Sequence, residues 1–126
     1  LAQKVFADEE ERRWLNRLIH PAVIAYVEKY IAGRRKQEGV IVLESALLFE
    51  SGCDRLCDEI WYIFVSEEIR RKRLADSRGY SQEKITAILK RQMTETEFQK
   101  RSDVVIRNDG TPEDLEQQIL SKIKAQ

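Results

Sequence analysis

Cysteine, histidine and methionine are scarce in this 126-residue sequence, proline appears twice, and net charge is absent. Each shortage excludes something. Cys53 and Cys57 have no matching second pair, and His20 is the only histidine. The ligand set of a structural zinc site is therefore not there, and no metal ligands are assigned. The two cysteines read as small buried residues on one helical face. Thiols without a disulfide framework suit a reducing cytoplasm, which is the expected location. Lysine plus arginine and aspartate plus glutamate both number 22. No net field recruits nucleic acid or an anionic membrane surface, so any basic partner site has to be local. No apolar run approaches the roughly 20 residues of a membrane span, and no signal peptide is visible. Met93 is the only methionine and Leu1 opens the chain, so the sequence reads as the middle of a longer protein.

What is present describes a folded domain. Apolar residues make up 42% and charged residues 35%, the balance of a globular rather than a disordered chain. The length suits one core, since single domains usually run about 100–150 residues. Asp8 followed by Glu9, Glu10 and Glu11 reads as an N-cap with acids on the positive end of a helix. Trp14, Leu15, Leu18 and Ile19 then repeat at helical spacing. Pro21 is expected to end that helix and start a second, striped by Ile24, Val27 and Ile31 and stopped by Gly33. The first 33 residues thus predict a helical hairpin.

Beyond Gly39 the texture changes. Val40-Ile41-Val42-Leu43, Ile60 through Val65, and Val104-Val105-Ile106 are unalternated apolar runs, which predict strands of a parallel sheet covered on both faces. Helices separate them, one from a Ser66 cap to about Ala75 and another from Ser81 to about Gln92. A last helix opens at Thr111-Pro112-Glu113-Asp114, with Leu115, Ile119 and Ile123 expected to face inward. Strand–helix alternation makes the fold class α/β.

Several stretches resemble one family in consistent order. Val5-Phe6 through Glu11, Trp14-Leu15 and Ile19-His20-Pro21 resemble a segment of the dephospho-CoA kinases ending in His-Pro. Glu44 through Gly52 resembles that family's D-x-P-L-L-F-E-x-G. Arg73-Leu74 and Gln92 resemble its lid region. Asp103 through Ile106, with Asn108 and Gly110, resembles its a-D-x-V-I-x-N-x-G. The resemblance covers nearly the whole chain. It implies a P-loop kinase fold, with a parallel sheet, a helical substrate region and a mobile lid. It also implies transfer of the γ-phosphate of Mg-ATP to the ribose 3′-hydroxyl of dephospho-CoA, the last step of coenzyme A biosynthesis. On that pattern residues 1–36 form the substrate region, 37–66 and 100–126 the two parts of the sheet core, and 67–99 the lid.

The resemblance also implies roles. His20, Glu44, Phe49 and Gln92 are expected to touch dephospho-CoA. Arg73, Asn108, Asp109 and Gly110 are expected on the ATP side, and Arg78 is the candidate catalytic arginine. A lid arginine is worth ~10³–10⁵ in the rate of phosphoryl transfer. Each has a plainer reading. The basic run from Arg70 to Arg73 is the solvated face of a helix complemented by Glu67 and Glu68. Asn108-Asp109-Gly110 is a strand-to-helix turn. His20 satisfies a carbonyl at a helix junction, Glu44 ends a strand, Phe49 is core, and Gln92 closes a helix.

The chain departs from the pattern in three places. Glu44 and Ala46 replace an aspartate and a proline. Ser77-Arg78-Gly79 moves the lid arginine one residue along, a rotation of about 100° on a helix. The five glycines, at 33, 39, 52, 79 and 110, nowhere form G-x-x-x-x-G-K-S/T, the loop that cradles phosphates and binds magnesium. ATP and magnesium are thus expected mainly through an upstream segment, and this chain alone is expected to be inactive. The family's first strand would lie between the runs at 40–43 and 60–65. Three outcomes are open: a longer native protein, a second chain filling the gap, or strands closing up on each other. A non-catalytic binding module and another small-molecule P-loop kinase are the rival functions.

Overall fold

A computed structural model describes residues 8–125, so the Val5-Phe6 part of the resemblance lies outside the described residues. The chain divides into two compact units, Leu1–Asp58 and Glu59–Gln126.

The first unit opens with α1, Glu9–Ala32, capped by Asp8, whose Oδ1 accepts from the Glu10 amide at 2.8 Å. The expected hairpin is not formed. α1 runs through Pro21 without a break and ends at Gly33. A proline inside a helix removes one backbone bond and crowds the preceding turn, at a cost of about 3 kcal/mol. The helical period outlasts that cost. Arg12, Leu15, Asn16, His20, Ile24, Val27 and Ile31 are the half-buried residues of α1, and their stripe continues in steps of three or four across Pro21.

Val40–Leu43 is the second correction. It joins no strand among the described residues, and Val40 and Val42 are 89% and 85% exposed. Strand propensity yields no strand without a partner, because an extended segment satisfies none of its own backbone groups. Among the described residues the sheet has two strands, and this run is neither of them. Next come α2, Leu48–Ser51, and a 3₁₀ turn, Cys53–Leu56, with left-handed Gly52 between them. Among the described residues, Phe49 and Cys53 are the buried ones of this unit. Cys57 caps the turn in an extended conformation and is only half-buried, so the cysteines do not share an α-helical face.

The second unit follows the α/β expectation. β1 (Trp61–Phe64), α3 (Glu67–Arg78), α4 (Gln82–Arg91), α5 (Glu95–Arg101), β2 (Val104–Arg107) and α6 (Pro112–Lys124) follow in order. β1 and β2 pair in parallel from Trp61↔Val104 to Phe64↔Arg107. The ladder extends at both ends, with Asp103 N–H donating to Ile60 O at 2.8 Å and Asn108 N–H to Phe64 O at 2.7 Å. Ile85 of α4 and Ile106 of β2 are fully buried, and Phe64 nearly so.

Coverage of the two faces is incomplete: Ile63 and Val105, which the register puts on opposite faces, remain 46% and 37% exposed, while Phe64 and Ile106, likewise on opposite faces, are buried. α5 escaped the sequence reading, though Thr94-x-x-Glu97 closes a capping box at its start. On α6, Leu115 and Ile119 are half-buried, but Ile123 is 56% exposed rather than inward. A helix of that length runs about 20 Å, and the strand it packs against about 13 Å, so its last turn overshoots.

Candidate functional site

In open parallel sheets, ligands gather outside the carboxyl ends of the strands. Here those ends are Phe64 and Arg107, followed by Ser66 at the start of α3 and the turn Asn108-Asp109-Gly110. Asp109 ties them together. Its Oδ1 accepts from the Ser66 amide at 2.8 Å and its Oδ2 from Arg107 Nη2 at 3.0 Å. The Ser66 amide is the main cause holding the Asp109 carboxyl below its ordinary value of 3.8, opposed by partial burial and reinforced by Arg107 and Arg73. The Arg107 guanidinium lies 4.8 Å above the Phe64 ring.

Two further contacts set this turn. The Gln118 side-chain amide brackets Arg107, accepting from its N–H at 3.0 Å and donating to its carbonyl at 2.8 Å. It stands where a neighbouring strand would bond. Gly110 has little room for a side chain, because a Cβ there would lie 2.6 Å from Asp114 Oδ2. That oxygen accepts from the Thr111 amide at 3.0 Å in the capping box that starts α6, and the same bond lowers the Asp114 pKa. Asp109 and Gly110 thus have structural work beside any ligand contact.

The lid candidates separate. Arg73 is exposed on α3, and its charge is the weakest of the influences that lower the Asp109 carboxyl. Arg78 is the last residue of α3, before left-handed Gly79. Five residues further round a helix is about 140°, so Arg73 and Arg78 face different ways. Ser77 stands on the Arg73 side, its hydroxyl donating to the Arg73 carbonyl at 2.6 Å.

Arg70 and Arg71 are not a solvated face. Arg70 donates to Gln92 Oε1 at 3.0 Å and pairs with Glu95 Oε1 at 3.2 Å, joining α3 to the starts and ends of its neighbours. Its Nε is buried without a partner among the described residues. Beside it, the Tyr62 ring stacks on Phe98 at 4.9 Å, and burial pushes the Tyr62 hydroxyl pKa up. Arg71 pairs with Glu67 at 2.8 Å, as the plainer reading anticipates, and also donates to Thr86 at 3.0 Å. Gln92 caps α4 and is already engaged by Arg70. Composition marked this basic run, but only the packing of α3 on α4 shows which members are used internally.

In the first unit, His20 lies mid-helix rather than at a helix junction, half-buried beside a groove of about 460 Å³. Phe49 is buried in the core. Glu44 is exposed in irregular chain, not at a strand end, because the strand before it is absent. Arg13 and Arg17 also line the groove and were not singled out from the sequence. Their spacing to His20, one and two turns along, was the available signal.

Comparison with known proteins agrees with this geometry. The sequence profile of the dephospho-CoA kinase family matches residues 1–114. A dephospho-CoA kinase from Geobacillus kaustophilus is 36% identical over 95% of this chain and 60% of its own length. One from Symbiobacterium thermophilum is 40% identical over 88% of this chain and 47% of its own length. Among solved structures, TT1252 from Thermus thermophilus superposes on 98% of this chain with a TM-score of 0.78 and 30% identity, and 64% of that protein is covered. A dephospho-CoA kinase from Campylobacter jejuni superposes with a TM-score of 0.68 and 26% identity over 98% of this chain and 61% of its own. The chain spans roughly half to three-fifths of the length of these curated relatives. With its mixed α/β architecture, its parallel strand pair and the family profile running through residue 114, the chain belongs to the dephospho-CoA kinase family.

Proposed function

We propose that this chain carries the acceptor-substrate and lid parts of an enzyme that transfers the γ-phosphate of ATP to the ribose 3′-hydroxyl of dephospho-CoA. The observation that carries the reading is the 108–110 turn at the carboxyl ends of the parallel strands, tied by Asp109 to Ser66 and Arg107, and Arg73 is assigned to the same ATP side. A cation beside a strand-to-helix turn suits the phosphate end of a nucleotide whose base rests against backbone groups. Asn108 and Gly110 supply the backbone of that turn, while Asp109 holds it in shape.

On this reading residues 1–36 face the acceptor through His20, 67–99 act as the lid, and 37–66 with 100–126 form the sheet core. Exposed Arg78 at the lid helix end meets the transferring phosphate. Glu44, Phe49 and Gln92 take the acceptor side. Magnesium is assigned to no residue, since among the described residues no group of three or more His, Cys, Asp or Glu converges. The setting is the cytoplasm, and among the described residues no helix is long and apolar enough to cross a membrane.

Calorimetric titration of the 126-residue chain with dephospho-CoA, against adenosine as control, tests the reading. Saturable heat with dephospho-CoA alone is expected. Equal binding of both would point to a generic nucleoside site and contradict it.

A further inference from the structure

α1 carries more apolar surface than its own unit covers. Ile19, Val23, Tyr26 and Tyr30 follow one another in steps of four, three and four, which keeps them on one face of the helix. All four are exposed, from 42% at Tyr30 to 71% at Tyr26. Each precedes a half-buried residue by one position, so their stripe lies about 100° round from the half-buried one. Leu15, one turn before Ile19, extends the stripe to a length of about 22 Å. A contiguous apolar surface of this kind, with tyrosines in it, marks an association site.

The two ends of this stripe carry opposite charge. Glu11 stands one turn before Leu15, and Arg34 follows Tyr30 by four residues, its guanidinium 3.6 Å over that ring. The acids of the first turn are not all engaged. Glu9 is held by Arg12 at 3.8 Å and Arg13 at 2.8 Å. Glu11 shares a hollow with Arg13 and Arg17, yet it forms no ion pair among the described residues. The stripe is therefore complementary to itself when reversed. A second copy laid antiparallel, centred between residues 22 and 23, brings Arg34 level with Glu11, Tyr30 with Leu15 and Tyr26 with Ile19. Parallel packing would instead set Glu11 against Glu11 and Arg34 against Arg34.

We propose that this face of α1 joins a second copy of the chain in an antiparallel dimer. A twofold contact uses the same patch on both sides, so the patch has to match itself, as this one does. The tyrosines are the anchors, since their rings bury a large area while their hydroxyls stay at the wet edge. The Glu11–Arg34 pairs at the two ends fix direction more than strength. Opposed helix dipoles favour the same orientation. The groove beside His20 lies on the neighbouring stripe of α1, so the dimer does not rest on the function proposed above.

Sedimentation velocity of the 126-residue chain over a range of concentrations tests the proposal, with helicity followed by circular dichroism. The parent should dimerise reversibly. Tyr26→Lys should weaken the dimer about tenfold or more. Glu11→Lys and Arg34→Glu should each weaken it about two- to tenfold at low salt, and the two together should recover most of that loss. Val42→Lys, in the other exposed apolar run, should leave the dimer as it is. A parent that stays monomeric up to about 1 mM overturns the proposal. So does a dimer that Val42→Lys dissolves and Tyr26→Lys leaves intact, because the run at 40–43 would then be the contact. A double charge variant no better than either single one overturns the antiparallel pairing. Should Tyr26→Lys lose helicity, Tyr26→Gln carries the same reading, because glutamine is the better helix former.

Discussion

In Glu59–Gln126, helix starts, strand ends and the intervening turns are closed by named side chains, and Ile85 and Ile106 are sealed from solvent. In Leu1–Asp58, a 24-residue helix has no buried residue, and Val40 and Val42 stand in the open. Composition does not account for the contrast, since both units are rich in aliphatic residues. The difference is pairing. The runs at 61–64 and 104–107 find each other, so their backbone groups are satisfied and helices have a surface to pack on. The run at 40–43 has no strand beside it among the described residues, and its apolar side chains stay wet.

The two tryptophans make this contrast measurable, because Trp14 reports on the first unit and Trp61 on the second. The largest effect belongs to the sealed core. Ile106→Ala or Ile85→Ala should cost about 2–5 kcal/mol in denaturant unfolding read by Trp61 in a Trp14→Phe background. Val42→Ala should stay within about 0.5 kcal/mol. Equal costs at Ile106 and Val42 would break the comparison. Next comes Arg70→Ala, which removes the bonds to Gln92 and Glu95 and should cost about 1–3 kcal/mol in the Trp61 signal while leaving Trp14 unmoved. A similar loss in both signals would mean the units do not melt separately.

Gly110→Ala is expected to cost less, about 0.5–2 kcal/mol, because its Cβ displaces the Asp114 carboxylate from the cap of α6. Loss of α6 amide protection, with β1 and β2 unaffected, is the signature. The smallest effect is one of pH. Asp109 and Asp114 both have folded values below their ordinary 3.8, so each contributes stability that is complete above that value. That stability is lost as pH falls through the lower folded values. Acid titration should therefore weaken the Trp61 transition there, and Asp109→Asn should flatten part of that dependence. An unchanged profile in the variant would remove Asp109 from the account.

Much of the second unit was legible in the sequence, because its signals are local. Ser81 and Thr111 cap helices where their residue types imply, and the two paired apolar runs were read as strands. The Thr94-x-x-Glu97 box was equally local and was passed over. What stayed hidden depends on contacts between distant residues. Nothing near Arg70 in sequence announces Gln92 and Glu95, and nothing near Ser66 announces Asp109. Pro21 misled because a proline's local cost was weighed without the helical stripe that continues on either side of it. At the site, residue types pointed to charge on phosphate, but orientation around α3, which turns Arg78 away from Arg73, is a property of the folded helix.

Hydrogen exchange along the 126-residue chain, with and without dephospho-CoA, tests the central claim most directly. Without ligand, amides of 61–64 and 104–107 should be protected and those of 40–43 should exchange freely. Added dephospho-CoA should slow exchange across the Arg13–Ile24 part of α1 and in the 108–110 turn. Protection spread evenly over both units before ligand, or a ligand that slows neither segment, would contradict the account.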